Sequence, residues 1–376
     1  MKKVFCMLLS ALLALGSVSA LADDVITIGG LAPLSGAVAV YGTAVQQAAD
    51  LYVEQVNANG GILGKQVQIE WLDTKGDVTE AINAYNRLYS EGVSALLGPV
   101  ITATALAVAD YAGQDGIPMM TATATNYDVT TPGNGYNIFR VCMLDPFQGQ
   151  VMAVLAKENL GCSKVAILYD NADDYSTGVA AAFNERALEL GMEVVAYEAC
   201  TAADVDFKAQ LTNIANAGPD AVLVPMYYGP VALIARQARE VGITVPLLGV
   251  DGWDGVLEQV EDASVLEGCY FVNHYSPADT SEKVVDFLAK FEEKYGATPN
   301  AFAALGYDAI AVLLNAIEAA GDPSDWEAIN AALKATEFDG VTGQGLTFDD
   351  HGDPSKAGVI NVIKDGAYEL YDYIQP

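Results

Sequence analysis

Ala95-Leu96-Leu97-Gly98-Pro99 leads through a helical stretch to Gly116-Ile117-Pro118-Met119-Met120. Ala95–Leu97 reads as a buried strand, Thr102–Ala112 as a helix, and Pro118–Thr121 as a second strand. The same phrase returns about 126 residues later: Ala221-Val222-Leu223-Val224-Pro225, a helix, then Gly242-Ile243 leading to Pro246-Leu247-Leu248. Two similar lobes are therefore expected. Working outward, Val25–Leu31 is a strand, and Thr43–Asn57 is a helix with Ala44, Ala48, Leu51 and Val56 near one face. Asn59-Gly60-Gly61 stops that helix. Val67–Leu72 is a strand and Val78–Ser90 a helix. The pattern restarts near Arg140–Phe147. Strands are expected at Lys164–Tyr169, Glu193–Tyr197, Ala221–Val224 and Pro246–Gly249, and helices at Ser176–Leu190, Phe207–Asn216 and Val231–Val241. Such alternation predicts an α/β fold, each lobe a mostly parallel sheet flanked by helices.

The chain has 376 residues, room for two or three domains of ~150 residues each. Hydrophobic residues make up 52% and charged residues 18%, so a packed core is expected rather than disorder. Eighteen Lys and Arg stand against 49 Asp and Glu, a net charge of −31. Nucleic acid is excluded, because its binding rests on cations against phosphates. Docking on an anionic membrane face is excluded in the same way. Lys2 and Lys3 precede an apolar run from Val4 to Leu15, and Ala20-Leu21-Ala22 forms a cleavage site. This is the three-part pattern of a signal peptide, expected at 1–22. Its apolar run falls short of the ~20 residues that span a bilayer, and Cys6 lies too early to carry a lipid at the cleavage site. The mature protein is expected to be soluble in the periplasm.

Motifs of chemistry are few. Asn59–Gln66 resembles a phosphate-binding loop but lacks its first Gly and the Ser/Thr after Lys65, so it reads as a turn. No G-x-G-x-x-G follows a strand, and no G-x-S-x-G elbow occurs. His274 and His351 stand alone, without H-E-x-x-H. Asp349–Asp353 lacks the ligand spacing of a calcium loop and reads as a solvated turn. No catalytic residue, metal or cofactor is expected, and binding without chemistry becomes the leading reading. Export permits disulfides. Cys162 and Cys200 sit at opposite ends of neighbouring strands, too far apart to bridge.

Pro33-Leu34-Ser35-Gly36, Tyr41-Gly42, and Val56-Asn57-Ala58-Asn59-Gly60-Gly61-Ile62-Leu63-Gly64 resemble the opening of the branched-chain amino acid binding proteins. These are type I periplasmic receptors of ABC importers. Leu97-Gly98, Gly116-Ile117-Pro118, Phe139-Arg140, Gln148-Gly149, Asp206-Phe207, Ala235–Arg239, Gly249-Val250-Asp251-Gly252 and Gly306-Tyr307-Asp308 continue the likeness in order. The resemblance implies two lobes joined by a three-segment hinge near Arg140–Leu144, Gly268–Asn273 and Ala357–Asn361. The lobes would be 24–142 plus 271–356, and 143–270 plus 357–376. Cys142 and Cys269 would then lie on neighbouring crossovers, as a disulfide or as two buried thiols.

The implied ligand is a free amino acid, most simply branched-chain and aliphatic, passed to a permease by a monomeric receptor. An amide, urea-like or aromatic acid ligand, or a sensory role, stays open. A carboxylate suits hydroxyls and a helix N-terminus. Thr102 opens a helix, and Thr123-Ala124-Thr125 follows a strand. By the resemblance these loops hold the carboxylate and part of the ammonium, although Thr102 also suits a helix cap and the others a turn. Asp251 stands where the family carries an acid for the ammonium. Tyr41, Tyr175, Tyr227 and Phe302 fall at aromatic wall positions, and Trp253 offers a further face.

Overall fold

The computed structural model describes residues 25–131 and 136–375, so the expected signal peptide lies outside the described residues. β1 (Val25–Ala32), α1 (Ala39–Ala58), β2 (Gln66–Asp73), α2 (Val78–Glu91), β3 (Ala95–Leu97), α3 (Thr102–Asp115), β4 (Met119–Thr121) and β5 (Ile138–Arg140) follow in turn. Their strands form one all-parallel sheet in the order β2-β1-β3-β4-β5. Local chemistry sets the joints. Asp77 accepts the Glu80 amide to start α2, and left-handed Gly92 ends it. The turn read at 59–66 is a turn between α1 and β2, closed by bonds between Ile62 and Lys65.

The chain then crosses to a second sheet. α4 (Asp145–Val154), β6 (Lys164–Asp170), α5 (Asp174–Glu189), β7 (Glu193–Cys200), α6 (Lys208–Ala217), β8 (Ala221–Leu223), α7 (Tyr228–Glu240), β9 (Leu247–Gly249) and β10 (Tyr270–Asn273) repeat the alternation. It crosses back to lay α8 (Glu282–Tyr295) and α9 (Ala301–Ala320) beside α1, with α10 (Trp326–Lys334) against α9. A third crossing returns it as β11 (Gly358–Lys364) and β12 (Ala367–Ile374). The second sheet runs β12-β11-β10-β9-β8-β6-β7. It is parallel from β7 to β10, whereas β11 and β12 pair antiparallel. α9 is long and apolar enough to cross a bilayer, but 83% of that stretch is buried. It is apolar on most sides because it is covered on most sides.

Cys142, Cys162, Cys200 and Cys269 are free and buried, so the Cys142–Cys269 disulfide left open by the resemblance is not formed. The sulfurs of Cys142 and Cys269 are each used locally. The Cys142 thiol donates to the Ala124 carbonyl at 3.4 Å, and Cys269 Sγ accepts from Arg239 at 3.3 Å. The 349–353 turn is also more than solvated. Asp353 is buried and receives Arg140 Nε at 2.6 Å.

Candidate functional site

The cleft between the sheets closes on a narrow pocket lined by Val100, Ile101, Thr102, Thr123, Thr125, Tyr175, Tyr227, Asp251 and Phe302. Every lining residue sits at or just past the C-terminal end of a strand, or at the start of a helix, the usual crevice of parallel α/β sheets.

One wall belongs to the first sheet. α3 starts at Thr102 after Ile101, which provides no side-chain cap. Thr102 is therefore inside the helix rather than capping it. The first amides of α3 have no partner within the helix and carry its positive dipole end. The Thr123 hydroxyl donates to the Val100 carbonyl at 2.7 Å, which ties the β3 and β4 loops together. Arg140 holds the second loop from below. Its guanidinium donates to the carbonyls of Ala124 and Asn126 at 2.8 Å each, and to the Thr130 hydroxyl at 2.9 Å. Ala124 consequently faces the core and not the cavity.

The facing wall belongs to the second sheet. Asp251 follows β9, and its amide donates to Gln148 Oε1 at 3.0 Å. The Tyr175 hydroxyl donates to Asp251 Oδ1 at 2.7 Å, and His274 Nε2 reaches Oδ2 at 3.0 Å. Burial pushes the Tyr175 phenol far up and the His274 imidazole down. Both therefore act as neutral donors, and among the described residues no Lys or Arg pairs with the Asp251 side chain. Glycines make room for this arrangement. A Cβ on Gly252 would stand 2.7 Å from the Tyr175 oxygen, and one on Gly249 would enter the Trp253 ring at 2.1 Å.

Tyr175 and Tyr227 stack at 4.9 Å, and Phe302 stacks on Tyr41 at 4.2 Å. Tyr41 stands one layer behind the lining. Its hydroxyl crosses the cleft to the Gly252 carbonyl at 2.6 Å. Trp253 is turned away from the cavity. Its indole donates to the Val224 carbonyl at 2.8 Å and its ring packs over Phe271.

The structure thus gathers Thr102, Thr123, Thr125, Tyr175, Tyr227, Asp251 and Phe302, places Tyr41 behind them, and leaves Ala124 and Trp253 out. It also shows support that the sequence reading passed over: His274, Gln148, Arg140 and Asp145. Asp145 is buried behind Thr125, whose carbonyl accepts its amide at 2.9 Å. Both Asp145 carboxyl oxygens lack a hydrogen-bond partner, and burial drives that carboxyl well up. Among the described residues, no group of three or more His, Cys, Asp or Glu side chains clusters for a metal.

A closing cleft with a helix start and hydroxyls on one side and a buried acid on the other defines a two-lobed binder of a small polar molecule. The chain belongs to the periplasmic binding protein family, whose profile matches residues 25–367. It is 32% identical over 308 residues to Leu/Ile/Val-binding protein homolog 3 of Brucella melitensis, covering 82% of this chain and 83% of that one. The crystal structure of a leucine-binding protein from Thermotoga maritima superposes with a TM-score of 0.87 at 36% identity, over 93% of this chain and 99% of that one. A branched-chain amino acid transporter substrate-binding protein of Streptococcus pneumoniae, in complex with isoleucine, has a TM-score of 0.87 at 34% identity, covering 94% and 100% of the two chains.

Proposed function

We propose that this protein is the periplasmic, monomeric binding component of an ABC importer, capturing a free branched-chain amino acid and presenting it to the permease. The observation that carries this reading is charge placement. Unpartnered amides of α3 face a carboxylate that has neutral donors but no cation. Among the described residues lining the cavity, none is Lys or Arg. The ligand must bring an anionic group to one wall and a cationic group to the other. An α-amino acid does so, whereas an aromatic acid would leave Asp251 buried and unpaired. Val100, Ile101, Tyr227 and Phe302 supply apolar surface for an aliphatic side chain. The names of the relatives agree with this ligand class. The hinge segments lie at 140–144, just after β10 and just before β11, so that β10 belongs to the second lobe and not, as the resemblance implied, to the first.

Two measurements test the reading. Small molecules released from denatured purified protein are identified by mass spectrometry, and titration calorimetry compares leucine, isoleucine and valine with 4-methylpentanoate and benzoate. We expect an amino acid in the released fraction. Removing the ammonium should weaken binding by a hundredfold or more. Equal affinity for leucine and 4-methylpentanoate would sink the proposal.

A further inference from the structure

His274 begins the segment that leaves β10, and its side chain is fully enclosed. Its two ring nitrogens point to different parts of the molecule. Nδ1 lies 3.4 Å from the Met143 amide, on the first crossover. Nε2 lies 3.0 Å from Asp251 Oδ2. An amide N–H can only donate, so Nδ1 must accept and the ring proton must sit on Nε2, aimed at the carboxylate. The backbone around the ring is held as firmly. The His274 amide donates to Asn273 Oδ1 at 2.8 Å, and Asn273 Nδ2 donates to Asp254 at 3.0 Å. Asp254 also takes the Ala301 amide at 2.7 Å, at the start of α9 in the opposite lobe. The imidazole therefore joins the first crossover, the second crossover and the acid of the cleft in one chain of hydrogen bonds.

We infer that His274 is a positioning residue that couples the hinge to the ligand's ammonium site, aiming the Asp251 carboxylate while gripping the Met143 amide. This rests on the proposed amino acid ligand and names what orients the acid that receives it. Tyr175 restrains Oδ1 alone, and a carboxylate held at one oxygen still swings about its last bond. His274 restrains the other oxygen. Because Met143 belongs to a crossover, a change in hinge geometry shifts the imidazole and with it the acid. Asp251 is then aimed correctly only at the closed hinge angle. The neutral ring suits this task, since a protonated one would bring its own positive charge to the carboxylate that the ammonium needs. Lys356 on the third crossover and Asp251 are the charged groups that act on it.

Two substitutions divide the two contacts. In His274→Asn the side-chain oxygen takes the place of Nδ1 and keeps the Met143 bond, but nothing reaches Asp251. In His274→Gln the amide nitrogen takes the place of Nε2 and keeps the Asp251 bond. Calorimetry with leucine on the full mature chain should show at least a tenfold loss of affinity for His274→Asn. His274→Gln should stay within about threefold of wild type, with thermal unfolding reporting that both are folded. Equal affinity of the Asn variant and wild type overturns the inference, and so does equal loss in both variants. A long-range nitrogen–proton NMR spectrum of the imidazole on wild-type protein tests it without mutation. A proton on Nε2 is expected, and one on Nδ1 overturns it. If wild-type protein takes up no leucine, isoleucine or valine, the functional proposal falls, while the tautomer still decides the assignment of His274.

Discussion

Asp251 concentrates the chemistry of the cleft in one side chain. Its carboxyl is buried and meets two neutral donors that orient it. In the proposed function a ligand ammonium completes the pair in a dry, low-dielectric setting, where such bonds are strong. Asp251→Asn keeps shape and an acceptor for Tyr175 but removes the charge. It should weaken amino acid binding by about 2–5 kcal/mol, the usual cost of breaking a buried charge pair, with little change in thermal unfolding. Unchanged affinity by calorimetry would place the ammonium elsewhere. The gathering of Asp251 and the threonines at the cleft was legible in the sequence because they follow strands, where parallel sheets form their crevice. His274 was not. A lone histidine shows no local pattern, and its partner is 23 residues away on another loop. The role of Arg140 has no local signature, since its partners are mostly backbone carbonyls, which any sequence supplies. Trp253 was expected at the cavity on proximity to Asp251 alone. The turn after β9 sends it the other way, into the space that Gly249 leaves.

At the scale of elements, short strands bounded by Gly and Pro were readable nearly to the residue, as Ala95–Leu97 shows. Helix starts were less so. α1 begins at Ala39 and α7 at Tyr228, because the residues that start them are apolar or aromatic and carry no side-chain cap. β11 and β12 pair antiparallel with the end of a parallel sheet, which local alternation of strands and helices does not announce. The crossovers depend on tertiary stitching. Lys356 on the third crossover donates to the Val141 carbonyl of the first at 2.6 Å and to the Thr342 hydroxyl. Burial lowers its pKa from 10.5 to about 8, opposed by the charge of Asp308 and by Cys142. The neutral amine still has two N–H groups for its two bonds. Between pH 8 and 10.5 the unfolded chain binds this proton more than the folded one does. Stability from this group therefore rises with pH across that window and is flat below it. Relative to Lys356→Met, wild type should gain up to about 2 kcal/mol of unfolding free energy in urea melts from pH 8 to 9.5. Parallel pH profiles for the two proteins would refute the charge state assigned to Lys356.

For the whole molecule, function lies in the balance between open and closed lobes. The closed form is held by contacts that need no ligand. Tyr41 on α1 donates to Gly252 and accepts the Tyr228 amide at 3.2 Å, and the Tyr228 hydroxyl returns to the Ala37 carbonyl at 2.7 Å. On the other flank Asn126 Nδ2 meets the Asp174 carbonyl at 3.3 Å. Moving such an equilibrium from 1:99 to 99:1 takes ~5.5 kcal/mol of differential binding. Each neutral bond across the cleft shortens that distance by ~0.5–1.5 kcal/mol. Tyr41→Phe keeps the ring stacked on Phe302 but deletes both bonds of its oxygen, so it should weaken the closed state by about 1–2 kcal/mol. If the unliganded protein rests open, apparent affinity falls by the same free energy, roughly 5- to 30-fold, because the ligand must first make good the lost closure. Calorimetry reads that loss. Small-angle scattering reads its origin: wild type should compact on adding ligand, and the variant should compact to the same size only at higher ligand concentration. An affinity unchanged in Tyr41→Phe, with no compaction of wild type on saturation, would mean that the lobes do not close on their ligand at all.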